Sequence, residues 1–120
     1  MEHGGAKHHR KRVGEALKDE IATIIEGELA DPRIGLASVT EVHLSPDGKT
    51  ARVFVIVAGS EDEAKQTMIG LDAAKIFIKR ELTERLRLRQ APELFFQLDH
   101  SEQYGGRIDQ LLHRIEKRKK

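Results

Sequence analysis

The sequence predicts a single α+β domain in which a three-stranded sheet is covered by helices. Its 120 residues suit one domain with one core. Apolar residues recur at helical spacing in two long segments, and three short segments have the β-branched or aromatic composition of strands. Proline, glycine and capping residues separate these segments. The predicted order is helix, strand, strand, long bent helix, strand and short helix, which packs as two layers.

The N-terminal half is predicted to form one helix and a hairpin. A stripe of apolar residues at helical spacing predicts a helix over residues 10–29. This helix ends before Pro32, because the residue that precedes a proline is pushed out of the helical region. Two strands follow, at residues 36–44 and 50–57, and the turn sequence at residues 45–48 predicts that they pair as a hairpin.

The C-terminal half is predicted to form a long helix, a strand and a short helix. Ser60 and Glu63 have the spacing of a capping box, which places a helix start at this point. Lys75 interrupts the apolar stripe of that helix, and a buried lysine without a partner is costly. We therefore predict a bend near Lys75; the alternative is a straight helix along which the lysine extends to solvent. A strand at residues 94–98 and a helix at residues 108–115 complete the order.

The composition excludes several classes of protein. The chain has no cysteine, which excludes disulfide bonds, thiolate metal sites and a cysteine nucleophile. No apolar run approaches the ~20 residues of a membrane-spanning helix, and no signal-type apolar stretch follows the basic N-terminus. We therefore expect a cytoplasmic protein without a membrane partner. The predicted domain spans residues 10–115, between a flexible basic segment at residues 1–9 and a basic tail at residues 116–120.

Charge is segregated along the chain, although the formal net charge is only +1. Residues 13–74 carry five basic and twelve acidic side chains. Residues 75–89 carry six basic and two acidic side chains, and residues 107–120 carry the same numbers. Residues 1–12 hold four basic side chains and one acidic side chain. Such segregation favours a polyanionic partner that contacts particular surfaces, with solvated helix faces and tails as the alternative.

No motif predicts catalysis, a metal site or a cofactor. The chain has no glycine-rich phosphate loop, nucleophile elbow or metalloprotease motif. Among the six histidines, His43 has the position of a half-exposed strand residue. Asp99 and His100 are neighbours in an extended segment, so their side chains point to opposite faces and make a poor catalytic pair. We therefore predict that the protein is not an enzyme.

The basic segments carry the strongest functional signal. Lys75 and Lys79 are four residues apart and share one helical face. Arginine suits phosphate oxygens, because its guanidinium group stays charged and donates hydrogen bonds as a fork. The four phenylalanines are expected in the core, so structured RNA is favoured over stacked single strands. The predicted RNA-binding residues are Lys75, Lys79, Arg80, Arg85, Arg87, Arg89, Arg10, Lys11, Arg12, Lys117 and Arg118.

Five stretches of the chain carry short motifs. The order and spacing of these motifs together are more specific for a protein family than any one motif. They are Asp31-Pro32-Arg33-Ile34, Ser45-Pro46-Asp47, Ala51-Arg52-Val53-Phe54-Val55, the segment from Leu86 to Asp99, and the segment from Gly106 to Leu112. Together, over about residues 10–115, they resemble the bacterial ribosome-binding factor A family. At the expected bend that family tends to have a small residue, any residue and then glycine, whereas this chain has Ala74, Lys75 and Ile76.

The resemblance implies a type II KH-like fold with a bend where the usual KH loop lies. It implies binding to the small (30S) ribosomal subunit and its 16S rRNA during late maturation and rRNA processing, including in the cold, without catalysis. We expect a monomer when the protein is free. Two alternatives remain: a general KH-like RNA-binding module without a ribosome role, and a protein-interaction adaptor whose acidic middle contacts a basic partner.

Overall fold

The computed structural model describes residues 2–100, with side chains described from Lys11 onward. The short helix predicted at residues 108–115 and the basic tail at residues 116–120 lie outside the described residues. The elements in chain order are α1 (Glu2–Gly27), β1 (Ala37–Leu44), β2 (Thr50–Val57), α2 (Glu61–Ala73), α3 (Lys75–Leu86) and β3 (Glu93–Leu98). This order confirms the predicted α+β fold and each predicted element within the described part.

The three strands form one sheet in the order β1-β2-β3. β1 and β2 are antiparallel, as the predicted hairpin requires, and the turn between them closes with a 2.9 Å hydrogen bond from the Gly48 N–H to the Ser45 carbonyl. Gly48 has a φ of 74°, a conformation that favours glycine. β3 is parallel to β2, which requires a crossover, and α2 and α3 supply it.

α1 is longer at its N-terminal end than the sequence predicts. It begins at Glu2 rather than near residue 10, and it ends at Gly27. Extension of a helix costs little once its packed part has formed, because each added residue gains one hydrogen bond after nucleation. The helical backbone therefore runs through the segment predicted to be flexible. The placement of the domain boundary at residue 10 stays a prediction.

One face of the sheet packs against the helices and is called the inner face. Alternate residues of β2 point to this face, and Ala51, Val53 and Val55 are fully buried there. The helices cover them with fully buried side chains at helical spacing, namely Leu17, Ile21, Ile24, Leu71, Ile78 and Leu82. β2 lies at the centre of the core because it is the only strand of the described sheet with a neighbour on each side.

The second helical region is capped and interrupted where the sequence predicts. Ser60 and Glu63 form the complete capping box, in which each side chain accepts a hydrogen bond from the other residue's backbone N–H at 3.2 Å. The region breaks at Ala74, whose φ of −88° and ψ of 0° separate α2 from α3. The helix is therefore interrupted at the residue before Lys75, where the sequence predicts a bend. After the break, Ile78 is fully buried, whereas Ile76 is 78% exposed.

α3 ends in a left-handed turn at an arginine. Arg87 has a φ of 52° and a ψ of 45°, and it is the one residue other than glycine with positive φ in the described part of the chain. The Leu88 N–H donates a 3.0 Å hydrogen bond to the Thr83 carbonyl, which is the pattern of a Schellman motif. Glycine is usual at this position because a side chain disfavours the left-handed region. This turn directs the chain toward β3 and leaves Arg87 exposed.

Candidate nucleic-acid interface

Three of the predicted RNA-binding side chains are held in ion pairs within the protein. Lys75 lies 3.3 Å from Asp72, and Lys79 pairs with Glu93 on β3. Arg85 contacts three glutamates. A phosphate that binds one of these cations competes with carboxylates already in place. The ion pairs therefore make Lys75, Lys79 and Arg85 weaker phosphate ligands than their sequence pattern predicts.

Arg85 links α3 to α1. Its guanidinium donates to both carboxylate oxygens of Glu28 and approaches Glu20 at 3.5 Å, and both glutamates lie in or just after α1. It also donates a 3.0 Å hydrogen bond to Glu81, one turn earlier on α3. These contacts raise the pKa of Arg85 and lower the pKa of Glu28, in both cases mainly through their shared hydrogen bonds. The geometry assigns Arg85 a role in holding two helices together.

Arg85→Gln is expected to lower the midpoint of urea unfolding at pH 7. Because the folded-state pKa of Glu28 lies below the ordinary value of 4.5, the stabilisation from this pair is complete above that pH and is lost as the pH falls through the folded-state pKa. The midpoint of the variant should therefore fall less steeply with acid than that of the wild type. Arg80→Gln is the control, because Arg80 is exposed and has no ion pair with another described residue. Equal midpoints for the two variants would contradict the assignment.

The other predicted cations with described side chains have no ion pair with any described residue. They are Arg80, Arg87, Arg89, Lys11 and Arg12, and all five are exposed. The side chain of Arg10 and all of Lys117 and Arg118 lie outside the described residues. The predicted cations without such an ion pair therefore lie in the middle of α3, just after α3 and near the start of the described side chains.

Two of these basic segments, far apart in sequence, border the same groove. A cavity of about 240 Å³ lies between α1, the β1–β2 turn and the segment after α3, and its lining includes Val13, Leu88 and Gln90. Arg12 precedes Val13, and Arg87 and Arg89 flank Leu88, so these arginines are sequence neighbours of lining residues, although none of them lines the cavity and the acidic Asp47 does. Lys11 lines a neighbouring cavity of about 330 Å³ that shares Leu44 and Pro46 with the first. We call Lys11, Arg12, Arg87 and Arg89 the basic groove.

The starts of α2 and α3 differ in charge. The first turn of α2 carries Glu61, Asp62 and Glu63, which interact favourably with the positive end of that helix dipole. The first turn of α3 carries no acid, its N-cap Ala74 makes no side-chain hydrogen bond, and Lys75 is its first residue. α3 follows α2 directly, because the Ala74 N–H donates to the Gly70 carbonyl and the Ile78 N–H donates to the Ala74 carbonyl.

The prediction that all four phenylalanines lie in the core is wrong for two of them. Phe95 is 54% exposed on β3, and Phe77 is 38% exposed on α3. The alternation of side chains along β3 could have predicted that Phe95 is exposed. Leu94, Phe96 and Leu98 point to the inner face, so Phe95 points to the opposite face of the sheet. The protein therefore has exposed aromatic rings that are available for stacking of RNA bases.

The described residues show no alternative chemistry at the surface. No group of three or more metal-ligating side chains lies together among residues 11–100. No described helix is long and apolar enough to span a membrane. His43 is exposed, as expected, and its side chain lies 3.0 Å from Glu41. Asp99 accepts a 2.7 Å hydrogen bond from the buried Thr40 hydroxyl. This hydrogen bond links β1 to the residue that follows β3.

Comparison with known proteins shows one consistent likeness. The family model of ribosome-binding factor A matches residues 9–112. A ribosome-binding factor A of Koribacter versatilis is 56% identical over 120 residues, which cover 100% of this chain and 98% of that relative. The crystal structure of ribosome-binding factor A from Thermus thermophilus matches with a TM-score of 0.66 and 31% identity over 73% of this chain and 92% of that chain.

A second structure of the same Thermus thermophilus factor also matches. It is a homology model of the Thermus thermophilus factor fitted into the cryo-EM map of its complex with the 30S subunit. It matches with a TM-score of 0.60 and 32% identity, and covers 72% of this chain and 90% of that chain. The likeness to these structures confirms the predicted KH-like fold.

Proposed function

This chain belongs to the ribosome-binding factor A family, and we propose that it binds the small ribosomal subunit through its 16S rRNA and assists late maturation of that subunit without catalysis. The observation that carries the proposal is the basic groove. Lys11 lines one of its two cavities, and the exposed Arg12, Arg87 and Arg89 are next in sequence to residues that line the other. None of the four is paired with a carboxylate of the described residues. A relative with the same fold has been placed on the 30S subunit.

The charges of the groove suit RNA phosphates better than a protein partner. Arg12, Arg87 and Arg89 each present a guanidinium fork, which matches phosphate oxygens and remains charged at any physiological pH. Their placement next to residues that line one groove gives a surface that can follow a phosphate backbone without reading its bases.

A binding protein can assist maturation by mass action. It stabilises the subunit conformation that it binds best, and it dissociates when maturation removes that conformation. This account requires no catalytic group. A factor that acts on maturing subunits would work in the cytoplasm.

Sedimentation with purified subunits tests the proposal. We expect the protein to sediment with immature small subunits more than with mature ones, and not with large subunits. Because the contacts are to phosphates, log affinity should fall linearly with log salt concentration, with a slope of roughly −0.7 to −0.9 for each phosphate contact. Equal binding to small and large subunits would favour a general RNA-binding module, and binding that does not depend on salt would favour a protein-interaction adaptor.

A further inference from the structure

The outer face of the sheet, opposite the helices, carries a row of exposed polar and aromatic side chains. His43 on β1 is the register partner of Arg52 on β2, and Arg52 is the register partner of Phe95 on β3. All three are exposed, whereas Ala51 and Leu94, which precede Arg52 and Phe95, are buried against the helices. Since neighbouring strands lie about 4.8 Å apart, the row spans about 10 Å. We call His43, Arg52 and Phe95 the outer row.

Aromatic rings extend along the outer row. The His43 ring lies 5.0 Å from the ring of Phe54, centroid to centroid, with the two planes tilted by 58°. Phe54 lies two residues after Arg52 on β2. Because Phe54 is half-buried, its ring supports the ring of His43. Phe95, at the edge strand, has 54% of its surface exposed. An exposed aromatic ring on an open sheet face is the arrangement with which several RNA-binding folds stack unpaired bases.

Two cations flank the exposed ring of Phe95. Arg52 lies beside it in register and has no ion pair with another described residue. The Lys75 ammonium lies 5.4 Å from the centre of the Phe95 ring, in cation–π contact, and also pairs with Asp72. Lys75 opens α3, so Phe95 lies at the point where the outer row meets the break between α2 and α3.

From this geometry we infer that the outer row, together with Lys75, binds an unpaired RNA nucleotide. The base stacks on the exposed surface of Phe95 that Lys75 leaves uncovered, and Arg52 holds the adjoining phosphate. This inference rests on the proposed function and adds to it a substrate class: single-stranded RNA next to the structured RNA that the basic groove contacts. An apolar peptide fits this surface less well, because it would cover Arg52, which has no ion pair with another described residue, without supplying a negative group.

The test measures binding of a fluorescein-labelled ten-nucleotide oligouridylate by fluorescence anisotropy at 50 mM salt, with the full chain. Stacking of one base on an aromatic ring accounts for about 5- to 100-fold in affinity, so Phe95→Leu should weaken binding by that factor. Phe95→Tyr keeps an aromatic face and should bind within about twofold of the wild type. Phe77→Leu is the matched control, because Phe77 is also an exposed phenylalanine but lies on α3 outside the outer row.

Each outcome decides the inference. Equal losses for Phe95→Leu and Phe77→Leu, or no loss for either, would overturn it, provided that thermal melts show both variants folded. A wild-type chain that binds small subunits but not the oligouridylate would overturn the stacking site and leave the proposed function standing. A chain that binds the oligouridylate through Phe95 but does not bind subunits would support the stacking site and overturn the proposed function.

Discussion

Ile78→Ala is expected to lower the free energy of unfolding by about 2–5 kcal/mol. Ile78 is fully buried in the first turns of α3 and belongs to the core formed by α1, the sheet and the two crossover helices. Removal of its side chain beyond Cβ forfeits the transfer free energy of the lost carbons and leaves a cavity, because the surrounding core relaxes only in part. Urea unfolding followed by circular dichroism measures the change, and the slope of the transition should stay constant.

Ile76→Ala is the matched control for this result. The two isoleucines are two residues apart on the same helix, but Ile76 is 78% exposed. A surface substitution of this kind usually changes stability by no more than about 0.5 kcal/mol. If the opposite face of α3 were buried, the two costs would be reversed. The difference between the variants therefore tests which face of α3 packs against the core.

Replacement of Arg87 and Arg89 together by glutamine is expected to weaken binding to immature small subunits by roughly 10- to 100-fold at 50 mM salt. Each lost phosphate contact removes the release of about one counterion, so the slope of log affinity against log salt should decrease by roughly 1 for each side chain. The midpoint of urea unfolding should not change, because both side chains are exposed and glutamine keeps the left-handed backbone of residue 87 as it is. Filter binding across a salt series measures both quantities.

Two control variants separate the basic groove from charge in general. Lys65→Gln removes an exposed cation from α2 that lines neither cavity of the groove, and subunit affinity should change by less than about twofold. Lys79→Gln removes a cation that already pairs with Glu93, so its effect should be smaller than that of Arg87→Gln. Equal losses for Arg87→Gln, Lys65→Gln and Lys79→Gln would assign binding to net charge rather than to the groove.

The order of the elements and the break between α2 and α3 could be predicted from sequence because their causes are local. The capping box at Ser60 and Glu63 satisfies backbone groups three residues apart, and the observed hydrogen bonds match that pattern. Lys75 indicated the break because a charged side chain could not stay in a buried stripe, and the helix is interrupted at the residue before it. The motifs also identified the family, because they are spread over most of the length of the domain.

The site could be predicted only as a set of basic residues. Arg85 and Arg87 are two residues apart and look equivalent in sequence, yet Arg85 is occupied by three glutamates and Arg87 is exposed. The Arg85 side chain reaches Glu28 across a separation of 57 residues, so the packing of α1 against α3 decides that it is not free. Sequence spacing contains no information about that contact.

The sequence by itself therefore determined the elements, the break and the family, because these depend on residues close together or on a long series of motifs. Tertiary structure decided which charges remain free and where they meet. The sheet register aligned Arg52 with Phe95, and the packing of α1 beside the segment after α3 brought Val13, the neighbour of Arg12, to the same groove as Leu88. Both juxtapositions depend on how distant segments pack against one core, and free cations persist only where that packing supplies no carboxylate.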